Sequence, residues 1–107
     1  MTKKTLHVLC NTNTPTPLED VLKSQQTGNW RISKENADSL TNVVIYHEET
    51  QTKIRGEITE MEYVQATDTR GVGYVISFTP LENREGRIVT SYGSTRPKFN
   101  NIGWVIK

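Results

Sequence analysis

Aromatic and basic side chains are the residues of this sequence whose types and spacing point most clearly to chemistry. An aromatic ring can stack on a nucleic-acid base, a contact worth about 1–3 kcal/mol, and arginine or lysine in a loop can contact phosphates. The most suggestive segment is Arg96–Phe99, where two basic residues stand beside an aromatic one. The candidate binding residues, which are aromatic, basic or able to form hydrogen bonds, are Trp30, Arg31, Ser33, Tyr46, Arg70, Arg87, Tyr92, Arg96, Lys98 and Phe99.

These candidates also have an ordinary structural interpretation, and the sequence leaves the choice open for several of them. Trp104 alternates with glycine and valine in a predicted strand, so we expect it to fill the core. Trp30 stands just before a predicted helix, where a core position and a pocket position fit the pattern equally well. The basic loop residues also fit the ordinary interpretation, and fit it better, as solvated charges that keep edge strands from pairing with other molecules.

Signatures of an enzyme or of a metal site are absent from the sequence. The histidines are His7 and His47, and residues 47–49 would point in alternating directions on a hairpin and make a poor chelate. Cys10 ends an alternating apolar segment and is expected to be a small core residue. Residues 71–73 fall short of a dinucleotide-binding motif. The sequence therefore predicts no catalytic residue, no bound metal and no cofactor.

Length, composition and charge limit the class of protein. With 107 residues the chain is predicted to form one domain, residues 1–107, with a modest core. Its apolar runs are too short for a transmembrane helix, and a lone cysteine without a leader-like segment favours the cytoplasm. Residues 84–107 hold five basic residues and one acid, a net charge of +4, which leaves −3 for residues 1–83 because the total is +1. A basic carboxy-terminal part is compatible with a surface that faces phosphates.

The segment Val43–Val64 is predicted to organise the fold. A short apolar run, Val43–Tyr46, is followed by a polar connection and then by an alternating segment, which is typical of a β-hairpin with one buried face. The apolar positions then change parity, because Ile54 and Ile58 are even-numbered while Met61 is odd. A β-bulge is expected to absorb this shift and to bend the strand. A bent strand indicates a small closed or half-closed barrel.

Two short helices are predicted in the first half of the chain. Thr16 is a candidate N-cap followed by Pro17 at the first helical position, and Glu19 would complete a capping box. Ser33 is a candidate N-cap for a second helix over residues 34–40.

The remaining apolar segments predict strands that complete a sheet. They cover residues 5–10, 74–79, 87–92 and 102–106. Together with the hairpin and the helices they predict an α+β fold, namely a small, mostly antiparallel, bent β-barrel of about six strands.

Three short motifs and the order of the elements carry a resemblance to a known superfamily. The motifs are Trp30-Arg31-Ile32-Ser33 before a short helix, Ile54-Arg55-Gly56-Glu57-Ile58 on a strand, and Asn101–Val105 at the end of the chain. They resemble PUA-like domains, which include the EVE and ASCH domains, and more narrowly the barrel domain fused to some bacterial nucleases. No nuclease domain is expected within these 107 residues, so the resemblance does not imply cleavage, and Trp104 stands near the tyrosine of the family pattern. The resemblance implies a barrel with short helices at its mouth, whose relatives bind RNA or modified bases.

These observations predict a non-catalytic nucleic-acid-binding module, with DNA or RNA as partner and a modified or flipped base as one candidate ligand. The alternative is a protein-binding factor of a phage or mobile element that inhibits a defence protein. That factor would use edge strands and an acidic hairpin, whose residues are Glu48, Glu49, Glu57, Glu60 and Glu62. No membrane partner is expected.

Overall fold

A computed structural model describes residues 4–10, 15–65 and 73–107, except for the side chain of Asn29. Within these residues the chain forms a mainly β structure with two helices, in agreement with the predicted α+β class. The elements in chain order are β1 (Lys4–Leu9), α1 (Pro17–Ser24), β2 (Gln26–Trp30), α2 (Lys34–Asp38), β3 (Leu40–His47), β4 (Thr52–Val64), β5 (Gly73–Leu81), β6 (Thr90–Ser91) and β7 (Trp104–Ile106).

All described strands belong to one sheet, in the order β2-β5-β4-β3-β1-β7, with β6 paired to the start of β4. β1 runs parallel to β3, and the other neighbours are antiparallel. The edge strands β2 and β7 are not hydrogen-bonded to each other. The sheet is therefore not closed into the predicted barrel.

The long strand β4 contains the bulge that the change of parity predicts. Ile58 and Glu60 pair with consecutive residues of β5, so Thr59 is the extra residue. Ile54 before the bulge and Met61 after it both pack on the same core. The bulge thus keeps the apolar side chains of a 13-residue strand on one face.

The inner face of the sheet, which we define as the face covered by the helices, carries the main core. Its largest fully buried side chains come from all the central strands and include Leu6, Ile45, Ile54 and Phe78. Leu18 and Val21 of α1, together with Ala37 of α2, close this core from the helical side. Apolar burial of this kind is the main source of stability for a domain of this size.

The two helices begin where the sequence predicts, although only one of them has the predicted cap. The Ser33 hydroxyl accepts a hydrogen bond from the backbone N–H of Asn36 at 3.2 Å at the start of α2. Thr16 precedes Pro17 at the start of α1, but its side chain forms no capping hydrogen bond. The capping box predicted there is absent.

The segment over residues 87–92 is a turn followed by a two-residue strand, not the predicted longer strand. The Asn83 side-chain oxygen accepts the backbone N–H groups of Glu85 and Arg87, each at 2.9 Å. These bonds hold the chain in a turn, and only Thr90–Ser91 reaches β4. Strand β2, by contrast, forms where the sequence indicated only the end of a helix.

Gly56 lies against the ring of Phe78, and a side chain there would collide with it. A Cβ atom built on Gly56 would lie 2.3 Å from Cδ2 of Phe78. We therefore expect Gly56→Ala to lower the free energy of unfolding by about 1–3 kcal/mol, measured by denaturant titration. Adding Phe78→Leu should make the combined loss smaller than the sum of the two single losses. Strictly additive losses would contradict this explanation.

Candidate functional site

The outer face of the sheet, opposite the helices, carries a groove of about 510 Å³. We call it the outer-face groove. Its lining comes from β1, β3 and β4 and from the residue that follows β7. The side chains that give the groove its chemistry are His7, Asn42, Tyr46, Lys53, Arg55 and Lys107.

The strand register explains why these side chains meet. His7 pairs with Val44 of β3, and Val44 pairs in turn with Arg55 of β4, so the three form a row across the sheet. In the neighbouring row of the same face, Tyr46 pairs with Lys53. Side chains at paired positions lie about 4.5–5.5 Å apart at Cβ. Residues distant in the sequence therefore share one surface.

The groove has a positive electrostatic field. Lys107 is held beside β1 by reciprocal backbone hydrogen bonds with Thr5, of 3.0 and 3.1 Å. Burial, and then the charges of Lys107 and Lys53, lower the pKa of His7 below its usual value. The groove lining, all of it within the described residues, includes no aspartate or glutamate. The site is therefore suited to an anion.

A hydrogen bond between His7 and Tyr46 lies at the floor of the groove. His7 Nδ1 and the Tyr46 hydroxyl oxygen are 2.8 Å apart, and the ring centres are 5.7 Å apart. Burial, with the neighbouring Tyr92 as a second cause, raises the pKa of Tyr46. The phenol therefore stays protonated at neutral pH and keeps a proton to donate.

An aromatic cluster stands at one end of the groove and unites four of the predicted candidates. The ring of Tyr46 is 5.3 Å from that of Tyr92 and 5.5 Å from that of Phe99, both edge-on. The Arg96 guanidinium lies 4.9 Å from the centre of the Phe99 ring and is paired with Glu48. Tyr46 and Tyr92 are only 3% and 6% exposed. Tyr46 is the member of the cluster that lines the groove. Burial leaves Tyr46 and Tyr92 no free ring face for stacking, whereas Phe99 is half-buried.

Trp30 is a core residue, so its predicted role as a base-stacking residue is wrong. Its side chain is 2% exposed, and its Nε1 donates a hydrogen bond to the Thr27 hydroxyl at 3.0 Å. A Cβ atom on Gly103, next to β7, would lie 3.9 Å from Cζ3 of Trp30. The indole thus lies beside Gly103, which precedes β7, and its burial leaves neither of its faces accessible to a base.

The other predicted candidates lie away from the groove lining. Arg31 borders a separate, shallower depression of about 400 Å³, together with Ser33, whose hydroxyl is engaged in the cap of α2. Arg87 and Lys98 are exposed. Arg70 lies outside the described residues. Of the predicted set, only Tyr46 lines the groove, and Tyr92, Arg96 and Phe99 stand beside it.

Sequence reasoning missed most of the residues that give the groove its charge and polarity. The alternation of β4 placed Lys53 and Arg55 on the polar face, which was a usable signal. Nothing local in the sequence brings His7 or Lys107 beside them, because those contacts depend on the pairing of β1 with β3 and β7.

Neither a cluster of metal-binding side chains nor a helix able to span a membrane occurs in the described part of the chain. Across residues 4–10, 15–65 and 73–107, no three histidine, cysteine, aspartate or glutamate side chains gather where they could hold a metal ion. In the same ranges, every helix is too short or too polar to cross a membrane.

Comparison with known proteins assigns no family to this chain. No protein-family model matches it, and neither a curated protein nor a solved structure does so. The resemblance to PUA-like domains therefore stays a prediction, and the function has to be argued from the groove.

Proposed function

We propose that this protein binds single-stranded nucleic acid, DNA or RNA, in the outer-face groove and does so without catalysing a reaction. The observation that carries the proposal is the convergence of Lys53, Arg55 and Lys107 on one groove from two distant parts of the chain. Nucleic acids present phosphates at regular intervals, and contacts between phosphates and basic side chains supply much of their affinity for proteins.

The groove suits a flexible single strand that is held through its backbone. It lies on the open face of a β-sheet, a surface that several families use for single-stranded nucleic acid. The Asn42 amide adds a neutral donor whose hydrogen bond a phosphate or sugar oxygen can accept. Because Tyr46 and Tyr92 are buried and Arg96 lies over the Phe99 ring, we assign the affinity to phosphate contacts rather than to recognition of a flipped or modified base.

A PUA-like relationship and a cytoplasmic location belong to the same proposal. Their support is the set of motifs around Trp30 and Gly56 and the single cysteine of the sequence. Neither is needed for the argument from the groove, which depends on charge and strand register.

The proposal is tested by a salt titration of oligonucleotide binding. Single-stranded DNA and RNA of about 12 nucleotides are titrated by fluorescence anisotropy at several salt concentrations. Each phosphate contact contributes about 0.7 to the slope of log affinity against log salt, so three cations predict a slope of about −2. The absence of saturable binding to either polymer at low salt would remove the proposal.

Inorganic phosphate and nucleotides carry the same phosphate group as the proposed ligand. The titration therefore includes experiments in which these compounds compete with the oligonucleotide. We expect inorganic phosphate and a mononucleotide to displace the oligonucleotide only at much higher concentrations, because a single phosphate contacts fewer cations at once. A mononucleotide that binds as tightly as the oligonucleotide would identify a small nucleotide as the ligand instead.

A second candidate function, binding to a basic protein partner, is favoured by the charge pattern of β4. Past Arg55, the outward positions of this strand are Glu57, Glu60 and Glu62, and all three are exposed. Of the other predicted acids, Glu48 is already paired with Arg96. A stoichiometric partner that is lost on reversing the three strand glutamates, but retained when the groove cations are neutralised, would favour this function.

A further inference from the structure

The hydrogen-bonded pair of His7 and Tyr46 is the titratable part of the outer-face groove. His7 is half-buried on β1, and Tyr46 is 3% exposed on β3, with 2.8 Å between Nδ1 and the hydroxyl oxygen. Histidine is the side chain whose charge changes between about pH 5 and 8. A ligand that changes the charge around His7 therefore changes its protonation as well.

The ionisable groups that face His7 from the neighbouring elements are mainly cations. Lys107 follows β7, and Lys53 lies on β4; both lower the pKa of His7, in addition to the larger effect of burial. Arg55 lies in the same row of the sheet, and Tyr46 on β3 is neutral. His7 is therefore uncharged at neutral pH while the groove holds only solvent.

The hydrogen bond changes direction when His7 gains a proton. Neutral His7 can accept the Tyr46 proton at Nδ1, which leaves the hydroxyl engaged with the ring. Protonated His7 donates from both ring nitrogens, so the Tyr46 oxygen must accept and its own O–H is released to another acceptor. A phosphate oxygen in the groove is such an acceptor, and its negative charge also offsets the field of the lysines.

We propose that the outer-face groove binds a phosphate-bearing ligand together with one proton, which is taken up by His7 while Tyr46 turns its hydroxyl toward the phosphate. This inference rests on the proposed function and adds its regulation by pH. Atoms balance simply: one proton from water protonates the imidazole, and no covalent bond of the ligand breaks.

The link between ligand binding and proton uptake predicts the direction in which affinity changes with pH. Binding of an anion raises the pKa of His7 above its value in the free protein, so the complex holds more protons than the separated partners between those two pKa values. Affinity therefore rises as the pH falls through this interval. One proton limits the change to about tenfold for each pH unit.

The experiment measures affinity for a single-stranded oligonucleotide that has hydroxyl groups at both ends, because a terminal phosphate monoester itself titrates near about pH 6. Anisotropy titrations from about pH 5.5 to about pH 8 compare the unchanged protein with His7→Gln, and His47→Gln serves as the matched control. His47 lies at the end of β3 beside the turn, hydrogen-bonded to Thr50. We expect the unchanged protein and His47→Gln to bind more tightly at low pH, and His7→Gln to lose that dependence.

Three further measurements complete the test, and the first of them checks folding. Circular dichroism at each pH checks that the protein is folded, since a lowered His7 pKa makes the folded state less stable as the pH falls below the ordinary histidine pKa of about 6.5. Nuclear magnetic resonance titration of the His7 ring should give a higher pKa with oligonucleotide than without it. Tyr46→Phe, which keeps the ring, should weaken binding most at low pH.

The possible outcomes separate this inference from the function on which it rests. Affinity that is independent of pH, or an unchanged His7 pKa in the complex, would overturn the proton uptake and leave nucleic-acid binding in place. A pH dependence that persists in His7→Gln and disappears in His47→Gln would also overturn it. The absence of binding at every pH would remove the proposed function and this inference with it.

Discussion

Replacing Lys53, Arg55 and Lys107 together with glutamine is expected to weaken oligonucleotide binding about 100-fold at low salt. Arg55 and Lys107 are exposed and Lys53 is half-buried, so each cation contributes only about 1 kcal/mol to phosphate contact after solvent screening. About 1.4 kcal/mol corresponds to tenfold in affinity. The slope of log affinity against log salt should fall toward zero at the same time. Anisotropy titration of the triple variant across a salt series measures both quantities.

A matched variant distinguishes a specific groove from general attraction by net charge. Replacing Lys23, Lys34 and Arg84 with glutamine removes the same charge from exposed positions outside the groove. We expect this variant to lose only a small part of the affinity and to keep its salt slope. Equal losses in the two triple variants would contradict a defined binding groove.

Neutralising the acidic residues of β4 is a control that removes negative charge, whereas the two triple variants remove positive charge. Glu57, Glu60 and Glu62 occupy the outward positions that follow Arg55 on the same strand. Their replacement by glutamine should leave oligonucleotide binding unchanged or strengthen it, because like charges repel phosphates. Weaker oligonucleotide binding in this variant would contradict an affinity that comes from phosphate contacts in the groove.

The second large effect concerns stability, and we expect Trp30→Ala to lower the free energy of unfolding by about 3–5 kcal/mol. The side chain is 2% exposed and lies beside Gly103, which precedes β7. Its removal leaves a cavity and an unpaired Thr27 hydroxyl. Because a small domain is stable by only about 5–15 kcal/mol, the thermal midpoint should drop by more than about 10 °C.

Two further variants separate a core role of Trp30 from a role in ligand binding. Trp30→Phe should retain part of the lost stability, because it restores part of the buried ring volume. Tyr63→Ala, at a side chain that is 53% exposed, should change the free energy of unfolding by less than about 0.5 kcal/mol. A loss below about 1 kcal/mol in Trp30→Ala, accompanied by weaker oligonucleotide binding, would contradict the assignment to the core.

The hairpin of β3 and β4 could be predicted because its determinants are local. Alternation defines which side chains share a face, and the change of parity between Ile58 and Met61 signals the bulge without any knowledge of the partner strand. The N-cap residue Ser33 and the first-turn proline Pro17 are equally local signals, and both mark helix starts in the structure. Closure of the sheet is not local, and the barrel expected from a bent strand did not form.

The aromatic candidates show where local reasoning ends. Tyr46, Tyr92 and Phe99 do come together, as a set of aromatic binding residues would. The residue types, however, do not reveal whether a ring face is exposed, because exposure depends on which other parts of the chain pack against the ring. The segment that holds Arg96 covers one ring, and mutual packing covers the others.

The sequence by itself determined the α+β class, the central hairpin with its bulge, the helix starts and the polar face of β4, because each depends on spacing within a few residues. Only the tertiary structure decided the open sheet, the burial of Trp30 and the meeting of His7 with Lys53, Arg55 and Lys107. These features depend on the parallel pairing of β1 with β3 and on the return of β7 to β1. Contacts between residues so far apart depend on the free energy of the whole sheet, which no single segment of the chain determines.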